Sequence, residues 1–319
     1  MSIVLNEILK PLHKWYSLPW IEEIAVNNTH SVWLRLRNMN PQWVEQKDPK
    51  LTTKYFQDLF HIISSFYQLS FNPQSGFPMI YATLPGEHRF SGIIGKNVMF
   101  DSKDSKGGVA LVIRTATKAG GYDLGSYHVE EGQPLKQINK TEYDLPDDAF
   151  RKIQFLIQSG KPIIISGATA TGKTSLLNYI ISQLKSSMRI ITVEDTHELS
   201  VPQKNHIHFI LSRTQATNKF SYQHLIDLIV RFSPNAIIGS EISMQNASAL
   251  WSIVNTGHSH FYTTIHAESV QGAYKTLVDR ILETSDHYSQ LDLLEDVKKK
   301  FHVIQLSADG GIRAITAVE

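Results

Sequence analysis

Cysteine is absent from the 319 residues, which excludes disulfide frameworks, thiolate metal sites and cysteine nucleophiles, and fits a reducing compartment. An excess of charge of either sign is absent too. Lys and Arg number 31 against 30 Asp and Glu, for a net charge of +1, so the bulk composition does not ask for a nucleic acid or another polyanion as partner. No apolar run approaches the ~18 residues that cross a bilayer, which leaves peripheral or partner-mediated contact as the expected route to a membrane. From Met1 to Tyr16 the apolar residues are interrupted by Asn6, Glu7, Lys10, Pro11, His13 and Lys14. A signal peptide has an unbroken apolar centre, so this stretch is expected to stay in the chain and secretion is not expected.

The length, at ~150 residues per domain, implies two domains with a core each. The composition changes most over residues 116–146, where Gly120, Gly121, Gly125, Gly132, Pro134 and Pro146 stand among charged residues with little periodicity. We read this as a linker between a domain over 1–115 and a second over 147–319. In the first, Ile21 to Val26 and Ser31 to Arg37 read as a hairpin around Asn27, Asn28 and Thr29. Tyr55, Leu59, Ile62, Ile63 and Phe66 recur at helical spacing, and Pro78 to Leu84 and Val109 to Arg114 read as strands. This is an α+β pattern. In the second, strands at Pro162–Ser166, Arg189–Val193, His206–Leu211, Ala236–Ile242 and Phe261–Ala267 alternate with helices, among them one to about Ser187 and one over Ser221–Phe232. Such alternation implies an α/β domain with a parallel sheet. Phe301–Ala308 and Ile312–Val318 flank Asp309-Gly310-Gly311 as an edge hairpin.

Gly167-Ala168-Thr169-Ala170-Thr171-Gly172-Lys173-Thr174 fits G-x-x-x-x-G-K-[ST], between the apolar strand Ile163-Ile164-Ile165 and a helix carrying Leu176, Leu177 and Ile180. Small residues let the backbone wrap a phosphate, the N–H groups of the loop and helix start face it, Lys173 adds charge, and the Thr174 hydroxyl reaches Mg²⁺. Residues Gly167 to Ser175 are thus the candidate nucleotide cradle. A site that hydrolyses also needs carboxylates for the metal and for a water. Glu194 and Asp195 end one apolar strand and Glu241 ends another, both where a parallel sheet would meet the loop. His258 and His266 flank the last of these strands, and a neutral imidazole there suits a γ-phosphate contact. The pairs His206/His208 and His258/His260 point two rings to one strand face, but without thiolates a four-ligand metal site is not expected.

The boxes Gly167 to Ser175, Ile191 to Leu199, Ser233 to Glu241, and Thr256 to His258 through Thr263 to Ala267 stand in an order that resembles the Walker A, Asp, Walker B and His boxes of secretion and traffic ATPases. They cover most of residues 150–280. With the short length and the N-terminal half, the chain looks like the VirB-type ATPase of type IV secretion systems. That resemblance implies a RecA-like ATPase domain behind a smaller α+β domain, with ATP and Mg²⁺ as ligands and a homohexameric ring. The ring would sit in the cytoplasm, peripheral to the inner membrane, on the membrane components of a secretion machine, while the net charge of +1 leaves direct nucleic-acid binding unexpected.

The resemblance also implies roles: Lys173 on phosphate, Thr174 and Glu241 on Mg²⁺, Glu194 preferred over Glu241 for orienting water, and His266 as γ-phosphate sensor. The segments Leu84 to Arg89 and Ala110 to Arg114 resemble those that carry nucleotide-facing arginines, so Arg89 and Arg114 are expected to close over the nucleotide. A guanidinium fork suits a phosphate.

The sequence departs from the family at Ser233-Pro234-Asn235, where Arg-Pro-Asp is usual, and at Ser240-Glu241-Ile242-Ser243, where Gly-Glu-x-Arg is usual. Ring contacts and hydrolysis rate are the properties these departures touch, and Arg213 and Arg231 are the expected compensating charges. Rival readings are a pilus-assembly, pilus-retraction or type II secretion ATPase, a RecA-like nucleic-acid motor, and an assembly subunit that barely hydrolyses.

Overall fold

Apolar spacing builds the first helices. Leu5, Leu9, Leu12 and Tyr16 bury one face of α1 (Ile3–Tyr16), and Phe56, Leu59, Phe60 and Ile63 do so in α2 (Thr53–Phe66). The start of α2 is capped by Thr52, whose hydroxyl accepts the Tyr55 N–H at 3.1 Å. The strands of this half are β1 (Ile21–Val26), β2 (Ser31–Leu36), β3 (Trp43–Lys47), β4 (Met79–Leu84), β5 (His88–Gly95), β6 (Val98–Met99) and β7 (Gly108–Arg114). All but β6 form a six-stranded sheet in the order β3-β2-β1-β7-β5-β4, antiparallel throughout. The hairpin expected at Asn27 to Thr29 is the β1–β2 pair. The helices lie on this sheet and close a core with Ile24, Leu111 and Ile113.

The computed structural model describes residues 3–37, 43–73, 76–99, 107–116, 149–211, 220–285, 288–309 and 312–319. The linker expected over 116–146 lies, from 117 on, outside them, as does Arg213. After it come α3 (Ala149–Ser159), β8 (Ile163–Ser166), α4 (Lys173–Gln183), β9 (Ile190–Glu194), β10 (His206–Ile210), α5 (Tyr222–Ile229), β11 (Ala236–Gly239), α6 (Ala247–Asn255) and β12 (Phe261–Ile265). The chain ends with α7 (Val270–Leu282), α8 (Gln290–Lys300), β13 (His302–Asp309) and β14 (Ile312–Val318).

The second sheet has eight strands in the order β14-β13-β8-β12-β11-β9-β10-β6. The strands from β13 to β10 run parallel, and β14 closes one edge antiparallel, as the hairpin pattern implies. Strands such as Ile163-Ile164-Ile165 are buried on both faces, as helix-covered parallel strands are. Two helices are shorter than their periodicity implies. α4 stops at Gln183 because Leu184 is already extended and Lys185-Ser186-Ser187 offers no apolar face, and α5 gives way to a 3₁₀ turn over Val230–Phe232.

The other edge strand comes from the N-terminal half. β6 pairs antiparallel with β10 through Met99↔His208 and Val98↔Phe209, and Asn97 extends the ladder: its side chain donates to the Ile210 carbonyl at 2.9 Å, and its carbonyl accepts the Ile210 N–H at the same distance. The two halves therefore share an apolar core in which Trp43, Met79, Val98 and Val112 pack with Phe209, Phe220 and Phe232.

At the amino end of β9 the fully buried Arg189 joins the halves. Its Nη1 donates to Asn27 Oδ1 at 2.8 Å and Asn205 Oδ1 at 2.7 Å, its Nε donates to the Phe232 carbonyl at 2.8 Å, and its guanidinium lies 5.1 Å from the Trp43 ring centroid. Ser233 Oγ donates across the same seam to Glu23 Oε2 at 2.7 Å. Arg189→Ala would take a donor from three buried acceptors, of which Asn205 Oδ1 keeps the Asn27 Nδ2 donor at 2.8 Å. We expect a loss of about 2–5 kcal/mol, with only part recovered by Arg189→Lys, which lacks the fork. Urea denaturation with probes in each half measures this, and an unchanged midpoint would rule out the seam as a stabilising contact.

Candidate active site

Because β8, β12, β11 and β9 run parallel, their carboxyl ends lie on one edge of the sheet. Residues after β8 form the loop anticipated from Gly167 to Thr174. A Cβ at Gly167 would meet Thr171 Oγ1 at 2.5 Å and the Leu306 carbonyl oxygen at 2.9 Å, so this close approach needs glycine. Gly172 precedes α4 with φ 92°, a left-handed turn that puts the unpaired N–H groups of the helix start at the loop. Thr171 Oγ1 locks the turn by donating to the Ala168 carbonyl at 2.9 Å.

Lys173 is buried and folds onto its own loop: Nζ donates to the carbonyls of Gly167 at 3.0 Å and Ala168 at 2.8 Å, and lies 3.2 Å from His266 Nδ1. Burial lowers its pKa, and nearby Glu241 opposes that shift. His266, just past β12, turns its other nitrogen toward Glu241, with Nε2 3.7 Å from Oε1. Thr264 Oγ1 ties β12 to the end of β11 by donating to the Ser240 carbonyl at 2.7 Å. These groups surround a cleft of about 300 Å³ lined by Ala170, Gly172, Lys173, Thr174, Ser175, Glu198, Glu241, Thr264 and His266.

Glu194 stands behind this cleft. It is buried at the end of β9, and both carboxylate oxygens are taken. Oε1 accepts from Thr192 Oγ1 at 2.5 Å and His208 Nδ1 at 2.8 Å, while Oε2 accepts the N–H groups of Glu198 at 2.8 Å and Leu199 at 2.9 Å. Burial pushes its pKa up, but the His208 and Thr192 contacts and the Glu198 N–H outweigh it and hold the carboxyl below its usual value.

The chain segment fastened to Glu194 carries Glu198 into the cleft, where burial and the carboxylates of Glu194, Glu241 and Asp195 raise its pKa. Glu198 lies inside the Ile191 to Leu199 box and is a site residue that the sequence pattern does not single out. Its spacing from Glu194 was visible, but which of the two carboxylates reaches the cleft depends on how the segment after β9 turns back.

Among the other anticipated residues, Gly167, Ala168, Thr169 and Thr171 build the loop without lining the cleft. Arg89 and Arg114 do not line it either. They are exposed neighbours across β5 and β7, and Arg114 Nη2 lies 3.9 Å from Glu22 Oε1. Arg231 covers the Tyr81 ring at 4.9 Å. Two of the departures at the Walker B box serve the seam: Ser233 bonds Glu23, and Asn235 Oδ1 accepts the Arg189 N–H at 2.8 Å.

The pair His258 and His260 bonds locally, to Thr256 at 3.1 Å and Tyr262 at 2.8 Å. His206 and His208 have ring centroids 5.1 Å apart. Ligand atoms of Glu194, His197 and His208 lie within 4.8 Å of one another, but the Glu194 oxygen in this group already accepts two hydrogen bonds.

Comparison with known proteins places this arrangement. Residues 133–294, just over half the chain, match the family described as Type II/IV secretion system protein. The chain is 26% identical over 291 residues to the type IV secretion system protein PtlH of Bordetella pertussis, covering 84% of this chain and 79% of that protein. It is 27% identical over an alignment of 347 positions to VirB11 of Rhizobium radiobacter, covering 98% and 96%. The crystal structure of the Brucella suis VirB11 ATPase in complex with sulphate superposes with a TM-score of 0.82 at 20% identity over 99% of this chain and 94% of that one, which shows a shared fold. The chain belongs to the type II/IV secretion system protein family, as a VirB-type traffic ATPase.

Proposed function

We propose that the chain hydrolyses ATP with Mg²⁺ to power substrate translocation or pilus assembly in a type IV secretion system. It would work as a homohexameric ring on the cytoplasmic side, held at the inner membrane by partner subunits. The observation that carries this reading is the single cleft that holds Lys173, Thr174, Glu198, Glu241 and His266 together. The Thr174 hydroxyl and the Glu241 carboxylate are oxygen donors that fit Mg²⁺ and would hold it. Mg²⁺ would supply neutralisation of phosphate charge.

Lys173 would exchange its loop carbonyls for phosphate oxygens, and His266, between Lys173 and Glu241, would register the γ-phosphate. The family resemblance assigns water orientation to Glu194. The geometry favours another division, with Glu198 as the carboxylate that takes the proton of the attacking water and Glu194 as the buried anchor of its segment. A raised pKa makes Glu198 a stronger proton acceptor than an ordinary carboxylate. Solution mass with a non-hydrolysable ATP analogue and ATP turnover of wild type against Lys173→Ala test the function. A chain that stays monomeric, or a folded Lys173→Ala protein with normal turnover, would contradict it.

Two predictions separate the roles. Glu198→Gln should keep nucleotide affinity and melting temperature while lowering kcat by ~10²-fold or more. Glu194→Gln should lower stability as well, by about 1–3 kcal/mol, because a buried charge-assisted network is broken. Normal turnover in Glu198→Gln with an unchanged melting temperature in Glu194→Gln would return the base to Glu194.

Arg89 and Arg114 are exposed and lie off the cleft of their own chain, so we assign them to the nucleotide of a neighbouring subunit in the ring. Mixing Lys173→Ala subunits with Arg89→Ala/Arg114→Ala subunits should then give more turnover than either alone, since some interfaces regain both parts. Turnover in the mixture equal to the sum of the separate proteins would exclude this arrangement.

A further inference from the structure

A second cleft, of about 350 Å³, opens where the N-terminal half meets the amino end of β10. From one side it is walled by the β1–β2 turn and the paired strands β2 and β3, where Ser31 faces Lys47 and Trp33 faces Glu45. Lys204 and His206 wall it from the other side. It lies at the amino edge of the parallel sheet, opposite the edge that carries Lys173, and shares no residue with that site.

Its chemistry is one-sided. Lys47 and Lys204 are exposed, and neither has an ion pair among the described residues, while Glu45 is the single carboxylate in the wall. His30 and His206 add two imidazoles, and Ser31 and Asn28 add neutral donors. The wall residue Asn27 is bonded to Arg189, which brings a third cation to the back of the cleft. That guanidinium is wholly buried and has no carboxylate within ion-pair distance among the described residues. Burial lowers its pKa to about 10, so it remains positive at neutral pH. Among the described residues, its Nη2 and the Nδ2 of Asn205 are buried donors without an acceptor. Two ammonium groups without an ion pair among the described residues, in front of a buried guanidinium that Glu23 offsets only from beyond ion-pair distance, make a locus of positive potential that an anion stabilises. The half-buried indole of Trp33 offers a flat surface for a ring.

We propose that this interdomain cleft binds a small phosphate-bearing ligand of nucleotide size, with the phosphates on Lys47 and Lys204 and a base against Trp33, as a site separate from the phosphate-binding loop. A ligand held by both halves reports on their relative position, and so links its own binding to any motion along the seam.

The test is calorimetric titration of the full chain with inorganic pyrophosphate and, separately, with ADP, in wild type, Lys173→Ala and Lys47→Glu/Lys204→Glu. We expect two sites per chain in wild type. The charge reversal should weaken one of them by at least tenfold and leave ATP turnover unchanged, and that same site should persist in Lys173→Ala. Tighter ADP than pyrophosphate at this site, with the gap narrowed by Trp33→Phe, identifies a nucleotide; equal binding identifies the phosphate group alone as the recognised part. One site in wild type, lost in Lys173→Ala and untouched by the charge reversal, overturns the proposal. If the reversal lowers the melting temperature, Lys47→Ala/Lys204→Ala replaces it and is read the same way.

Discussion

Parallel alignment of the strands from β13 to β10 is the constraint on which the rest of the molecule depends. Parallel neighbours need a crossover between them, so each strand ends on the same edge and the chain returns outside the sheet, through a helix everywhere but between β9 and β10, where the segment carrying Glu198 returns without one. Residues as distant in sequence as Lys173, Glu241 and His266 therefore meet in one cleft. The amino ends collect on the opposite edge by the same rule, and Arg189 and Ser233 meet the N-terminal half there. One geometrical fact separates the chemical edge of the sheet from the edge where the halves are fastened.

That fastening is polar at its centre. A guanidinium without water is unfavourable unless its donors are taken, and Arg189 places Nε and Nη1 on two asparagine oxygens and one carbonyl while lying against Trp43 and Phe232, with Nη2 left without an acceptor among the described residues. The ladder between β6 and β10 adds main-chain hydrogen bonds to it, and the shared core around Phe209 adds apolar burial. A closing movement of the N-terminal half over its own nucleotide would have to break these contacts together. Relative motion of the halves is in this respect tied to the state of Arg189, with Glu23 and its raised pKa on the other side of the seam.

Along the edge that carries the cleft, the two glutamates of one short segment are divided by their surroundings. Glu194 sits where four donors hold it ionised, which makes it rigid and removes its lone pairs from the cleft. Glu198 has its backbone fixed by that carboxylate while its side chain stands among other acids, which favours the protonated form more than water would. His208, on the neighbouring strand β10, belongs to the same assembly because its ring nitrogen is one of the donors to Glu194.

The phosphate loop, the alternating strands and helices of the second half, the β1–β2 hairpin and the β13–β14 edge were legible in the sequence. Each is specified by residues adjacent in the chain: Gly167 and Gly172 by conformations that other residues resist, Ile163 to Ile165 by burial on two faces, and Asn27 to Thr29 by turn chemistry. The convergence of Glu241 and His266 on Lys173 was also legible, because strand ends in a parallel sheet have one destination. The joining of β6 to the edge of the second sheet, the choice of Glu198 over Glu194 at the cleft, and the position of Arg89 and Arg114 away from it were not. They depend on how one domain packs against another and on the path of a short loop. A two-residue strand, a carboxylate four positions from another and an exposed arginine pair carry no local pattern that sets where they point. Tertiary packing alone decided them, because the hydrogen bonds and buried surface that fix those positions come from residues far away in the sequence.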